Sequence, residues 1–133
     1  MSRLMKILAA FSVCLIVIAC SSSNTPEATA KAFIEKSYVG NADAALALIH
    51  MPQESKPGER EMMQGKIKGM VAEQKDRAER KGGVKEITVQ SSEIDKNDPN
   101  RAYANVHIQF KDGTDTDDRV RLIKIDGKWK VFL

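Results

Sequence analysis

His107 is the residue best suited to chemistry in this chain. It stands in Arg101–Lys111, RAYANVHIQFK, where strict alternation sets Tyr103, Asn105, His107 and Gln109 on one side. Ala102, Ala104, Val106, Ile108 and Phe110 take the other. An imidazole titrates near neutrality, and with a tyrosine hydroxyl on the same face it could pass a proton if that face lined a pocket. Tyr103, Asn105, His107 and Gln109 are therefore the candidate ligand pocket. An alternating polar face is most often solvated, however, and no aspartate stands at a motif spacing to orient the ring. The second histidine, His50, precedes Met51-Pro52 at an expected helix end, where an imidazole usually answers the negative end of the helix. No catalytic residue is assigned on these grounds.

Three other groups of side chains invite a chemical reading. Asp112–Asp118, DGTDTDD, is rich in hard oxygen ligands, but the EF-hand pattern needs glycine at its sixth position and glutamate at its twelfth. Here glycine is second and no glutamate follows in register, so a solvated hairpin turn is expected. Met62, Met63 and Met70 recur at helical spacing and suit gap-filling in a core better than a soft metal. Lys75, Arg77, Arg80 and Lys81 suit the C-terminal end of a helix dipole, with phospholipid headgroup contact as the other reading. Neither a metal site nor a cofactor is expected.

The remaining reactive group is a thiol. Met1–Lys6 carries Arg3 and Lys6 and no acid, and Ile7–Ile18 is an uncharged apolar run. Spanning a bilayer takes roughly 20 apolar residues, so this shorter run with a basic start reads as a secretory signal, not a span. Val17-Ile18-Ala19-Cys20 resembles the lipobox of bacterial lipoproteins. The resemblance implies cleavage between Ala19 and Cys20 and lipidation of Cys20. Cys14 would leave with the signal, so no intrachain disulfide is expected, and lipidation accounts for the one cysteine left over. One acyl chain anchors only marginally, whereas two or three hold a protein durably. In Gram-negative lipoproteins, a serine such as Ser21 after the lipidated cysteine implies the outer membrane, facing the periplasm.

Removal of residues 1–19 leaves 114 of the 133 residues, one domain with a modest core. Arg3 and Lys6 account for two of the net charge of +3, so the mature chain stands near +1. With aromatic residues at 5%, there is no set of stacking platforms along a basic stripe, and nucleic acid is excluded as a partner. Residues 20–25 form a short polar tether, and residues 26–133 form the domain.

Thr25-Pro26-Glu27 is a helix start, with a hydroxyl cap, proline at the first position and an acid in the first turn. Phe33, Ile34 and Tyr38 give this helix its apolar face, and Gly40 stops it. Asn41 or Asp43 caps a short second helix holding Leu46, Leu48 and Ile49. Glu59–Lys81 is a long charged helix with an apolar stripe at Met63, Ile67, Met70, Val71, Gln74 and Ala78. The i, i+4 pair Gly65 and Gly69 would permit close packing. From Val84 the period becomes two. Strands are expected around Ile87–Val89, across Arg101–Lys111, around Val120–Ile125 and across Trp129–Leu133, with turns at Asp95–Asn100, Asp112–Asp117 and Asp126-Gly127. Helices followed by a meander make an α+β domain: three N-terminal helices, the third long, packed on a four-stranded antiparallel sheet.

Thr25-Pro26-Glu27-Ala28 with Ala32-Phe33, then Asp43-Ala44-Ala45-Leu46, then Asp126-Gly127-Lys128-Trp129-Lys130-Val131 resemble small bacterial lipoproteins with a domain of unknown function. These belong to the NTF2-like, cystatin-like superfamily. The resemblance implies a cone in which a curved sheet wraps a helix and can leave a pocket. Two functions are carried forward. One is a membrane-anchored, non-enzymatic binding or assembly module for a small apolar ligand or an envelope protein. The other is a hydrolase, isomerase or dehydratase using a pocket near His107.

Overall fold

The Thr25 hydroxyl accepts a hydrogen bond from the Ala28 amide at 3.1 Å, with Pro26 locked into the first helical position behind it. So begins α1 (Pro26–Tyr38), which ends where Gly40 adopts φ +84°. The computed structural model describes residues 24–54 and 56–133. The expected cleavage and lipidation positions, Ala19 and Cys20, and the sorting position Ser21 lie outside the described residues.

Asn41 caps α2 (Ala42–Ala47) by accepting from the Ala44 amide at 3.1 Å. The helix stops before His50, so His50 is not a helix cap. The segment instead runs alongside the last strand, the His50 amide donating to the Val131 carbonyl at 2.8 Å. The long helix, α3 (Glu59–Arg80), starts at Gly58 in the left-handed region and buries Ile67, Val71 and Ala78. Gly65 and Gly69 face open space, so their spacing serves no close packing.

Four strands follow: β1 (Val84–Ile94), β2 (Arg101–Phe110), β3 (Asp115–Ile125) and β4 (Lys128–Val131). They form one antiparallel meander in the order β1-β2-β3-β4. Register shifts in β1 between Val84 and Glu86 and between Val89 and Ser91 bend its edge. As expected, Ala102, Ala104, Val106, Ile108 and Phe110 point inward and are buried. The first helix, α1, lies against all four strands, while α3 packs chiefly on α1 and α2. Of the core positions read from the sequence, Leu46 and Met70 sit at the margin, partly buried against the rest.

The third strand begins earlier than its composition suggests. The turn closes within Lys111–Thr114, with the Asp112 carboxylate accepting from the Thr114 amide at 2.9 Å and its hydroxyl at 2.6 Å. Asp115, Asp117 and Asp118 are therefore strand residues. Pairing with β2 overrides the low strand propensity of aspartate.

Candidate functional site

The β2–β3 register places His107 opposite Asp117 and Gln109 opposite Asp115, on the face turned away from the core. His107 Nδ1 lies 2.6 Å from Asp117 Oδ1, and Nε2 lies 3.4 Å from Asp115 Oδ2. With a carboxylate near each ring nitrogen, the protonated form of the imidazole is favoured. The hydrogen bond with Asp117 raises its pKa, the charges of Asp117, Asp115 and Glu86 add to this, and burial opposes it. Sequence spacing hid these partners because they come from the neighbouring strand.

Two other residues of that face are satisfied locally. Asn105 donates to the Ser91 hydroxyl at 2.7 Å, and Tyr103 donates to Asp95 at 3.3 Å beneath the Arg119 guanidinium, 4.4 Å from the ring. None of Tyr103, Asn105, His107 or Gln109 lines any of four prominent cavities among the described residues. The structure brings the four into one row, with His107 joined to carboxylates rather than to Tyr103.

The core-facing side of β3 holds a second polar group that sequence reasoning missed. Asp118 pairs with Val106 and follows the inward alternation of Val120 and Leu122. Burial raises its pKa. The Arg77 charge and a hydrogen bond with Tyr38 work against that, and Asp117 next door reinforces it. Tyr38 is buried between α1 and the sheet, its ring edge-on to Phe110 at 5.8 Å. Burial, and then the Asp118 charge, push its hydroxyl pKa up, against the pull of Arg77. Asp118, Tyr38 and Arg77 thus form one coupled set reaching from β3 to both α1 and α3.

Beside this set lies a cavity of about 270 Å³ between α1, α3 and β3, closed by the residues after β4. Phe33, Ile34, Met70, Val120 and Phe132 supply apolar walls, Asp118 and Gln74 supply acceptors, and Arg119 and Arg121 also line it. Gln74 Oε1 is buried without a hydrogen-bond partner. A buried acceptor left unmade typically costs 1–3 kcal/mol, so this one is poised to receive a donor. Two signals in the sequence pointed here. Gln74 is the one polar residue in the apolar stripe of α3, and continuing the alternation of β3 backwards from Leu122 through Val120 reaches Asp118.

The acid-rich stretch divides three ways: Asp112 closes the turn, Asp115 and Asp117 face His107, and Asp118 faces inward. Among the described residues, no three His, Cys, Asp or Glu side chains are grouped to hold a metal ion.

Three helices against a four-stranded antiparallel meander, with a polar-tipped cleft between helices and sheet, define an α+β domain of NTF2-like type. The chain belongs to the family described as "Domain of unknown function (DUF4878)", which matches residues 18–132. It is also similar in structure to a provisionally named NTF2-like transpeptidase from Campylobacter jejuni, with a TM-score of 0.75 and 31% identity, covering 81% of this chain and 97% of that one. No curated protein matches the chain. A fold of this type is that of a binding or enzyme-like module. Among the described residues, no helix is long and apolar enough to cross a membrane.

Proposed function

We propose that this protein is a membrane-anchored envelope lipoprotein that binds a small apolar ligand in the cleft above Asp118, without turning it over. The observation that carries the binding reading is the juxtaposition of an unpartnered acceptor, Gln74 Oε1, with a desolvated carboxylate, Asp118, at one apolar cavity. Two acceptors in the lining suit a ligand whose head is a hydrogen-bond donor, with Arg119 and Arg121 at the same cavity. At about 270 Å³, the cavity falls just under the roughly 300–1,000 Å³ typical of ligand sites, so the occupant is small. Anchoring rests on the basic, apolar and small-residue pattern ending at Ala19-Cys20, with Ser21 favouring the outer membrane. The family match opens at residue 18, so this junction falls inside the shared sequence.

Transpeptidation, the activity in the name of the Campylobacter jejuni protein, is the enzymatic rival. Covalent acyl transfer requires a nucleophile, and no residue lining the cavity carries a hydroxyl or thiol. His107, for its part, is engaged at both nitrogens on the opposite face of the sheet.

The experiment has two readouts on the protein purified from membranes. Intact-mass analysis should find residues 1–19 absent and acyl chains on Cys20; an unmodified soluble chain would end the lipoprotein reading. Titration with an apolar fluorescent amine should show saturable binding that Asp118→Asn weakens tenfold or more. Equal affinity in the variant would remove the cleft from consideration.

A further inference from the structure

The side chain of Asn24 is clamped at both ends on the hairpin between β3 and β4. Its Nδ2 donates to the Gly127 carbonyl at 2.8 Å, and its Oδ1 accepts from the Trp129 amide at 3.1 Å. Three residues, Ser21 to Ser23, separate Asn24 from Cys20. At roughly 3.3–3.6 Å per residue fully extended, Cys20 lies within about 15 Å of that hairpin. If Cys20 carries lipid, the hairpin end of the domain is held against the bilayer surface. The Lys111–Thr114 turn, at the other end of β3, is then held about 35 Å further out, given about 3.4 Å per strand residue.

The two ends differ in charge. Lys124, Lys128 and Lys130 flank the hairpin on both faces of the sheet, Lys124 lying 5.8 Å from the Trp129 ring and Lys130 donating to the Ala47 carbonyl at 2.9 Å, and Lys128 and Lys130 rim two depressions of about 380 and 520 Å³. The floor of the first is largely apolar, with Trp129 and Leu48, while the second mixes Ile49 and Ile125 with His50 and Asp126. Of the acids at this end, Asp126 sits at the tip, Glu27 is exposed in the first turn of α1, Asp95 is bonded to Tyr103, and Asp98 pairs with Arg101. At the far end, three of the four cations of α3 that suggested headgroup contact are paired within the helix, and the fourth, Lys81, donates to the Thr114 hydroxyl at 3.1 Å. Lys75 meets Glu79, Arg77 meets Glu73 and Arg80 meets Asp76. Asp112, Asp115 and Asp117 stand beyond them, exposed.

We infer that the hairpin end is a membrane-docking surface: Lys124, Lys128 and Lys130 rest on the phosphates of anionic phospholipids and hold the anchored domain in one orientation. This rests on the lipoprotein reading of Cys20. Short tethering raises the local concentration of headgroups at these lysines, and an anionic surface attracts them within a Debye length. The cleft then opens at a fixed height and direction above the bilayer instead of tumbling on its tether.

The test uses the full chain expressed in membranes of a Gram-negative host, with a photoreactive amino acid replacing either Lys128 or Lys111. The expected result is phospholipid adducts at position 128 at least fivefold above those at 111. They should drop at least fivefold in the background Lys124→Glu/Lys130→Glu, with the fold confirmed by circular dichroism. Equal adducts at the two positions on a chain whose Cys20 is acylated would overturn the docking surface and leave the lipoprotein reading intact. Protein adducts in place of lipid at 128 would also overturn it. An unacylated chain that still gives lysine-dependent lipid adducts at 128 would support the surface while ending the lipoprotein reading. An unacylated chain with no lipid adducts would overturn both.

Discussion

Asp117 and Asp118 are consecutive residues of β3, and the pleat of the strand sends them to opposite faces of one sheet. Asp117 is exposed and meets a histidine at 2.6 Å. Asp118 enters the cleft, where burial raises its pKa and only Arg77 and Tyr38 relieve it. On the outer face, water shares the work of solvating the charges, and each polar group has a near neighbour. On the inner face a carboxylate is held against apolar walls beside an acceptor with no partner at all. A group that folding does not satisfy is one that a ligand can satisfy. That contrast is the reason the proposed binding site lies on the inner face, although the outer face carries the histidine.

The largest expected difference between the faces is in stability. Ile108 is fully buried, and truncating a buried isoleucine typically costs 2–5 kcal/mol. Ile108→Ala should lose that amount in urea unfolding, whereas His107→Ala and Gln109→Ala, its neighbours on the outer face, should each lose far less. Comparable losses from Ile108 and Gln109 would mean the two faces are not distinct in the way described.

The second prediction concerns the two aspartates themselves and reverses sign between them. A raised carboxyl pKa means the folded state holds the Asp118 proton more tightly than the unfolded state does. Asp118 therefore favours folding below its folded pKa and disfavours it once ionised. Asp118→Asn removes the ionised group, so thermal melts at pH 7 should show a higher midpoint than wild type. The two should converge at acid pH, where Asp118 is protonated. Ligand affinity should fall in the same variant, which is the mark of a residue retained for binding at the expense of stability. Asp117→Asn should lower the midpoint slightly and leave ligand affinity unchanged. A destabilised Asp118→Asn would show that the Arg77 and Tyr38 contacts outweigh burial.

How far these faces could be read in advance follows from the same strand. The alternation from Ala102 to Phe110 is unbroken, so every inward residue of β2 is evident from the sequence, as is its outer row. In β3 the aspartates and Thr116 have the composition of a turn, which conceals four strand residues, 115–118, and with them the register that pairs Asp117 with His107. Strand identity there comes from the partner strand, which local composition does not contain. Helix ends show a similar limit. Thr25 and Asn41 announce their caps, whereas α2 stops early because backbone bonds from Leu48 and His50 to Val131 take over. The cleft was least legible, since Tyr38, Gln74, Arg77 and Asp118 come from three separate elements.

The smallest expected effect belongs to His107, and it tests the outer face by its pH dependence. Its pKa is raised first by the hydrogen bond with Asp117 and then by the charges of Asp117, Asp115 and Glu86. The folded state therefore binds the proton more tightly than the unfolded chain, where histidine titrates near 6.5. The stabilising contribution is fully present below that value and is lost as pH rises through the folded pKa. Because the group is exposed, the effect should be modest and should shrink in 1 M salt. Thermal midpoints taken from pH 5.5 to 9 should fall more steeply for wild type than for His107→Gln, with the curves meeting at the alkaline end. His50 is present in both proteins and cancels. Parallel curves would mean that the Asp117 contact contributes nothing in solution. Together with Asp118→Asn, whose curve meets wild type at the acid end, the pair separates the two faces of β3 by the pH at which each substitution ceases to matter.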